Sequence, residues 1–343
     1  MVIRRDLYLK KLIDRQHNGM IKVITGMRRC GKSYLVFNIF QDYLKSQGVD
    51  DRHIIKVNLE NRRNKKLRNP DTLLEYIDSQ MTDSQMYYIL LDEVQMVEEF
   101  EDVLNSYLSI PNADVYVTGS NARFLSKDVI TEFRGRGDEV KMYPLSFAEY
   151  MSAYEGSTQL GLDEYMMYGG LPQILSNKAE EQKISYLKNL FAETYIKDIK
   201  ERYKIRHEEE LEELLNIISS SIGSLTNPAK LVNTFKSVKN VTIAPETVKS
   251  YLEYLCDSFL VEKAMRYDVK GRKYIDTPYK YYFTDTGMRN ARINFRQDEK
   301  PHLMENVIFN ELLIRGFNVD VGVVPVVNIG EDGKQHRSQL EID

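Results

Sequence analysis

The chain has 343 residues, 42% of them hydrophobic and 29% charged, which suffices for more than one buried core and suggests two or three domains at about 150 residues each. Its 47 Lys plus Arg stand against 51 Asp plus Glu, for a formal net charge of -4. No global positive field is available to hold a polyanion, and any nucleic-acid contact has to be local. Two cysteines, Cys30 and Cys256, stand outside any CxxC pair or Cys/His cluster, which argues against disulfide stapling and structural zinc and fits a reducing cytosol. The N-terminal MVIRRDLYLKKLIDRQHNG has no apolar h-region, and no run approaches the roughly 18 apolar residues of a membrane span. The expectation is a soluble, cytoplasmic protein without a membrane partner.

The N-terminal half alternates short apolar runs with longer amphipathic ones, the rhythm of strands joined by crossover helices in a parallel sheet. The spacing predicts strands at Ile21 to Thr25, His53 to Leu59, Tyr87 to Leu91, Val115 to Gly119 and Glu139 to Tyr143. Helical periodicity falls in SYLVFNIFQDYLKSQG, PDTLLEYIDSQ and EEFEDVLNSYLS. The first strand runs into Gly26-Met27-Arg28-Arg29-Cys30-Gly31-Lys32-Ser33, then Tyr34 and a helical pattern. This is GxxxxGKS in strand-loop-helix context: a loop whose N–H groups point inward at phosphate oxygens, backed by a helix N-terminus. Residues 26–34 are therefore the expected nucleotide contacts. Lys32 is expected along the β- and γ-phosphates of ATP, with the Ser33 hydroxyl on Mg²⁺.

The third strand ends in Asp92-Glu93, at the carboxyl edge where open α/β sheets bind ligands. Asp92 is the expected Mg²⁺ partner, and Glu93 the group that activates or orients the attacking water. After the fourth strand, Ser120 or Asn121 is a candidate to orient water or sense the γ-phosphate, although such residues also cap helices. The segment Glu132-Phe133-Arg134-Gly135-Arg136-Gly137 places two arginines beside glycines. Arg134 and Arg136 are candidates to bring charge to a phosphate in their own or a neighbouring subunit, solvated surface arginines being the alternative.

These residues, together with LLDEVQ, TGSNARFLS, FRGR followed by YPLSFAEY, YGGLPQIL, YIKDI and YYFTDTGMRN, make the chain resemble the prokaryotic P-loop ATPases that join an AAA-like domain to a C-terminal region of uncharacterised function, a branch close to the archaeal ATPases. The resemblance covers most of the chain and implies nucleotide and Mg²⁺ roles for Lys32, Ser33, Asp92 and Glu93. Gly170-Leu171-Pro172 also looks like a Gly-x-Pro element that related signalling ATPases place near the nucleotide, a helix-ending turn being the other reading.

Beyond Pro144 the pattern is helical, a lid or connector over 144–205. The charged run Lys197 to Glu213 reads as a solvated helix surface. Residues 206–275 follow the helix, helix, helix, β-hairpin order of a winged helix-turn-helix, which makes duplex DNA a possible partner. Lys249 and Ser250 would face it from the last helix, and Lys270, Arg272 and Lys273 from the wing; Glu246 and Glu253 would oppose a phosphate backbone. Arg62, Arg63, Lys65, Lys66 and Arg68 form a second basic cluster that also reads as a solvated loop. The resemblance implies a nuclease-like α/β segment over 276–343, with carboxylates Glu305, Glu341 and Asp343. The strand that would supply a nuclease's last acidic residue and lysine is missing, so the segment reads as truncated or natively shortened, and inactive.

The fold class expected is α/β: a P-loop ATPase core over 1–143, then connector, winged module and partial nuclease-like segment. The function expected is Mg²⁺-dependent ATP hydrolysis coupled to conformational change, with DNA, a protein partner or a homo-oligomer engaged. The alternatives are a nucleotide-gated switch with little turnover and an ATPase partner of a nuclease-like effector.

Overall fold

In a computed structural model, the structure describes residues 3–119, 133, 135–239, 243–296, 299–329 and 335–342. The chain separates into two compact units, Met1–Pro144 and Leu145–Asp343.

The first unit begins with α1 (Asp6–Ile13), followed by β1 (Ile21–Gly26). Next, α2 (Lys32–Tyr34) passes through a π-helical stretch, Leu35–Phe40, into α3 (Gln41–Ser46). Then come β2 (Ile54–Asn58), α4 (Pro70–Gln80), β3 (Tyr87–Asp92), α5 (Phe100–Tyr107), β4 (Ala113–Thr118) and β5 (Gly137–Met142). The strands form one parallel sheet in the order β2-β3-β4-β1-β5. Each strand expected from the apolar runs is found, with ends moved by one or two residues. Strands of a parallel sheet are covered on both faces and so read as unbroken apolar runs; β1 and β3 are buried along their whole length. Lys22 in β1 is the exception. Its ammonium pairs with Asp114 on β4, donates to the Met20 carbonyl at 2.8 Å and lies 4.8 Å from the Tyr116 ring centroid, which offsets burial of the charge. Local chemistry sets α4: Pro70 opens the first turn and Asn69 Oδ1 accepts from Thr72 N at 3.0 Å.

The second unit contains α6 (Phe147–Met151), α7 (Thr158–Tyr168), α8 (Pro172–Ser176), α9 (Glu180–Asn189), a π-helical Leu190–Ile196 and α10 (Lys197–Arg202). Helices α11 (Glu208–Ser220), α12 (Pro228–Lys239) and α13 (Pro245–Asp257) precede β6 (Val261–Asp268) and β7 (Lys273–Phe283). After α14 (Thr286–Arg292) and α15 (Lys300–Ile314) come β8 (Val321–Ile329) and β9 (Gln335–Ile342).

The β6–β7 hairpin is not a free-standing wing. β6 pairs in parallel with β8 on its other edge, and the strands make a mixed sheet in the order β7-β6-β8-β9. The expected boundary after residue 275 therefore falls inside β7, where backbone pairing continues across it.

Two of the segments that carry the resemblance, YGGLP and FTDTGMRN, interlock in this unit. Asp285 accepts from Gly170 N at 2.8 Å and Met288 N at 3.1 Å; Thr286 Oγ1 donates to Tyr165 O at 3.1 Å; Asn290 Nδ2 donates to the carbonyls of Met166 and Met167 at 3.0 and 2.8 Å. A Cβ on Gly169, whose φ is +76°, would stand 2.0 Å from Asp285 Oδ1, so the approach requires glycine.

Candidate functional site

The carboxyl ends of β1, β3 and β4, neighbours or next neighbours in the sheet, bring together the phosphate loop, the acidic pair and Thr118. The loop leaves β1 through Gly26 at φ +131°, where a Cβ would lie 2.0 Å from the Met142 carbonyl oxygen. Arg29 and Gly31 also take positive φ, 66° and 103°, among residues of ordinary handedness. Such alternation makes a concave nest of N–H groups suited to an anion. Met27 and Cys30 are buried, whereas Tyr34 is exposed on the helix that follows; Cys30 Sγ contacts the Met142 carbonyl at 3.7 Å. Lys32 is buried, and its Nζ donates to Gly26 O and Met27 O, both at 2.9 Å. The loop thus keeps a positive charge within its own curl.

Ser33 Oγ donates to Asp92 Oδ1 at 2.8 Å, and Thr118 Oγ1 donates to the same oxygen at 2.5 Å. Thr118 Oγ1 also accepts from Glu93 N at 3.0 Å. Glu93 has φ +55°, a left-handed conformation uncommon outside glycine and concentrated where function over-determines the backbone. Its carboxylate accepts from Gln95 Nε2. Burial raises the Asp92 pKa above the ordinary carboxylate value, with the bonds from Thr118 and Ser33 pulling it back and the Glu93 charge adding to the rise. A buried carboxylate that wants a positive partner is well matched to a cation.

The donor set fits Mg²⁺. Octahedral coordination at 2.0–2.1 Å sets adjacent ligand oxygens about 2.9 Å apart, and Ser33 Oγ and Asp92 Oδ1 are separated by 2.8 Å. These two residues would hold the metal, directly or through water.

Arg136 is not at this edge. It precedes β5, and its backbone bonds to Ile21 at the start of β1; in the parallel register Gly137 pairs with Ile21 and Met142 with Gly26. Arg136 lies one residue before Gly137, so six steps at about 3.3 Å put roughly 20 Å between it and the loop, beyond one side chain's reach. The own-subunit role expected for it is thereby corrected. Ser120, Asn121 and Arg134 lie outside the described residues.

The geometry of Gly170-Leu171-Pro172 is accounted for within the second unit, by Asp285 and by the bond from Leu145 N to Gly170 O at 2.8 Å. The acidic residues of the C-terminal segment converge on a cation already present in the chain. Buried Lys280 Nζ lies 3.0 Å from Glu305 Oε1 and 3.4 Å from Glu341 Oε2, and Tyr282 OH donates to Glu305 at 2.5 Å. The two carboxylates are thus ion-paired to a lysine. Asp343 is outside the described residues.

Three of the residues expected to meet DNA have local partners. Lys249 Nζ is 4.0 Å from Glu253, Ser250 Oγ donates to Glu246 O at 3.0 Å, and Lys270 Nζ donates to Pro325 O at 3.3 Å. Sequence reasoning missed Thr118, since a threonine in a strand carries no signal of its own.

Comparison with known proteins fits this architecture. The sequence matches the AAA domain family over residues 18–151 and a domain of unknown function (DUF8612) over residues 159–299. An uncharacterized protein of Haemophilus influenzae is 35% identical over 327 residues, 94% of this chain and 81% of the relative. An uncharacterized protein of Methanocaldococcus jannaschii is 29% identical over 332 residues, 92% of this chain and 70% of the relative. Among solved structures, the Walker-type ATPase PABY2304 of Pyrococcus abyssi superposes with a TM-score of 0.60 at 16% identity, covering 85% of this chain and 96% of that one, a likeness of fold. Among the described residues, no helix is long and apolar enough to cross a membrane. The chain belongs to the family of AAA-like P-loop ATPases, its AAA domain followed by a region of unknown function.

Proposed function

We propose that the chain is a cytosolic Mg²⁺-dependent ATPase that hydrolyses ATP to ADP and phosphate. The observation that carries this reading is the bonded chain Ser33–Asp92–Thr118–Glu93, which ties the phosphate loop to both acidic residues. The loop amides and Lys32 hold the phosphates, and Ser33 and Asp92 hold Mg²⁺, which supplies charge neutralisation when bound. Glu93 orients or deprotonates the water that attacks the γ-phosphate, with charge on the transferring group stabilised electrostatically. Arg136, too far to serve its own loop, would serve a neighbouring copy in a homo-oligomer. Turnover drives a conformational change that acts on a partner, and duplex DNA is the first to test.

The test is steady-state phosphate release with Mg²⁺-ATP, with and without duplex DNA, using Lys32→Ala as the blank. Release that Glu93→Gln abolishes while nucleotide still binds supports the reading. Nucleotide binding with no release above the blank, with or without DNA, replaces it with a nucleotide-held switch. DNA stimulation that falls steeply with salt marks phosphate contacts, and turnover indifferent to DNA points to a protein partner.

A further inference from the structure

Arg5 lies 25 residues ahead of Cys30, yet its side chain is 3% exposed and reaches the phosphate loop from behind. Nη1 donates to Cys30 O at 3.1 Å, while Nη2 donates to Tyr143 O at 2.7 Å and Pro144 O at 3.4 Å. The guanidinium carbon sits 4.7 Å from the Tyr8 ring centroid, and Tyr8 OH accepts from Tyr143 N at 3.0 Å. One rigid planar fork therefore ties the loop to the end of β5.

The Cys30 carbonyl belongs to the peptide plane that carries the Gly31 N–H. In a trans peptide these two groups point in opposite directions, so a donor holding the carbonyl from outside aims the N–H inward. Gly31 needs such a hold: at φ 103° it occupies a region that glycine enters and leaves freely, with no Cβ to resist a flip of the plane.

We infer that Arg5 is a positioning residue for the nucleotide, fixing the Cys30–Gly31 peptide so that the Gly31 amide faces the phosphates. This rests on the ATP reading above. Arg5 touches no reacting atom; it sets the direction of a group that does.

The experiment compares Arg5→Lys and Arg5→Ala with Tyr8→Phe, which removes an α1–β5 bond and leaves the loop contact intact. Binding of a fluorescent ADP analogue is measured with Mg²⁺, alongside hydrogen exchange of the loop peptide without nucleotide and thermal melting. The expectation is that Arg5→Ala weakens ADP about 10- to 100-fold, that Arg5→Lys falls between it and wild type, and that both speed loop exchange. Tyr8→Phe should lower the melting temperature and leave affinity within about twofold. Should Arg5→Ala fail to fold, Arg5→Lys carries the test. Wild-type affinity and loop exchange in a folded Arg5 variant overturn the inference, as does an affinity loss in Tyr8→Phe equal to that of an Arg5 variant of matched melting temperature. Wild-type protein that binds no nucleotide overturns the ATP reading and this inference with it; binding unaffected by Arg5 overturns the inference alone.

Discussion

Thr118 Oγ1 donates to Asp92 Oδ1 at 2.5 Å and accepts from Glu93 N at 3.0 Å, so one hydroxyl at the end of β4 orients both acidic residues at the end of β3. The carboxylate proposed to hold Mg²⁺ and the residue proposed to orient water thereby share one anchor.

Thr118→Val keeps the shape and removes that anchor. The Glu93 N–H and one lone pair of Asp92 lose their partner, at a cost of about 1–3 kcal/mol when such groups stay buried. Phosphate release is expected to fall about 10- to 100-fold while nucleotide affinity stays within a few-fold. Measuring kcat beside the dissociation constant checks this split, and a loss confined to affinity would count against the role.

Asp92 carries a pKa raised by burial, which sets a direction for metal dependence. A proton and Mg²⁺ compete for the same carboxylate, so apparent Mg²⁺ affinity should begin to fall, as pH is lowered, at a higher pH than an ordinary aspartate would give. Titrating Mg²⁺ between pH 5 and pH 8, conditions chosen on the order of the usual carboxylate-to-neutral range, tests it. Asp92→Asn should bind Mg²⁺ weakly at every pH and show no such slope, and chelation of the metal should silence wild-type turnover.

Gly26→Ala is expected to damage both stability and binding. Its Cβ would meet the Met142 carbonyl oxygen at 2.0 Å, in a backbone conformation side chains rarely adopt. Neither backbone can give way cheaply, and the cost should exceed about 2 kcal/mol. Chemical denaturation and ADP binding together measure it; an alanine variant with wild-type values in both would refute the close packing of loop on strand.

Asp285 gives a pH signature for the second unit. Burial holds its pKa at about 6, against 3.8 for a free aspartate, and the main-chain donors of Gly170 and Met288 only partly offset that. A raised folded-state pKa means the folded state keeps its proton longer than the unfolded state. The contribution is therefore greatest below 3.8, declines as pH rises toward about 6, and is flat above. The gap amounts to on the order of 3 kcal/mol. Comparing denaturation midpoints of wild type and Asp285→Asn from about pH 3 to about pH 8, limits set to bracket this roughly two-unit window, isolates it. The difference between the two should change across the window and level off above it.

The sheet was legible because β1, β3 and β4 are buried on both faces and so announce themselves as unbroken apolar runs. The phosphate loop and the acidic pair were legible because their chemistry requires residues close together in sequence. The own-subunit reading of Arg136 failed for the converse reason. Its neighbours suggested reach toward phosphate, but direction along a strand is a property of the register, and Ile21 opposite Gly137 sets it at the far end. The continuation of β7 across residue 275 was likewise hidden, since pairing of β6 with β8 joins segments more than 50 residues apart, roughly the separation at which no local signal survives. Arg5 bonds to a loop carbonyl, which every residue has and no motif marks, and Thr118 reaches Asp92 and Glu93 across two neighbouring strands, a pairing that leaves no local sequence pattern.

The π-helical stretch Leu35–Phe40, directly behind the loop, bears on how this unit tolerates change. A π turn holds one residue more than an α-helix needs for the same span. Loss of one residue within Leu35–Phe40 would let the ladder close as plain α-helix, leaving Lys32 and Gln41 on either side in their present orientation. A deletion that breaks most helices would be absorbed there.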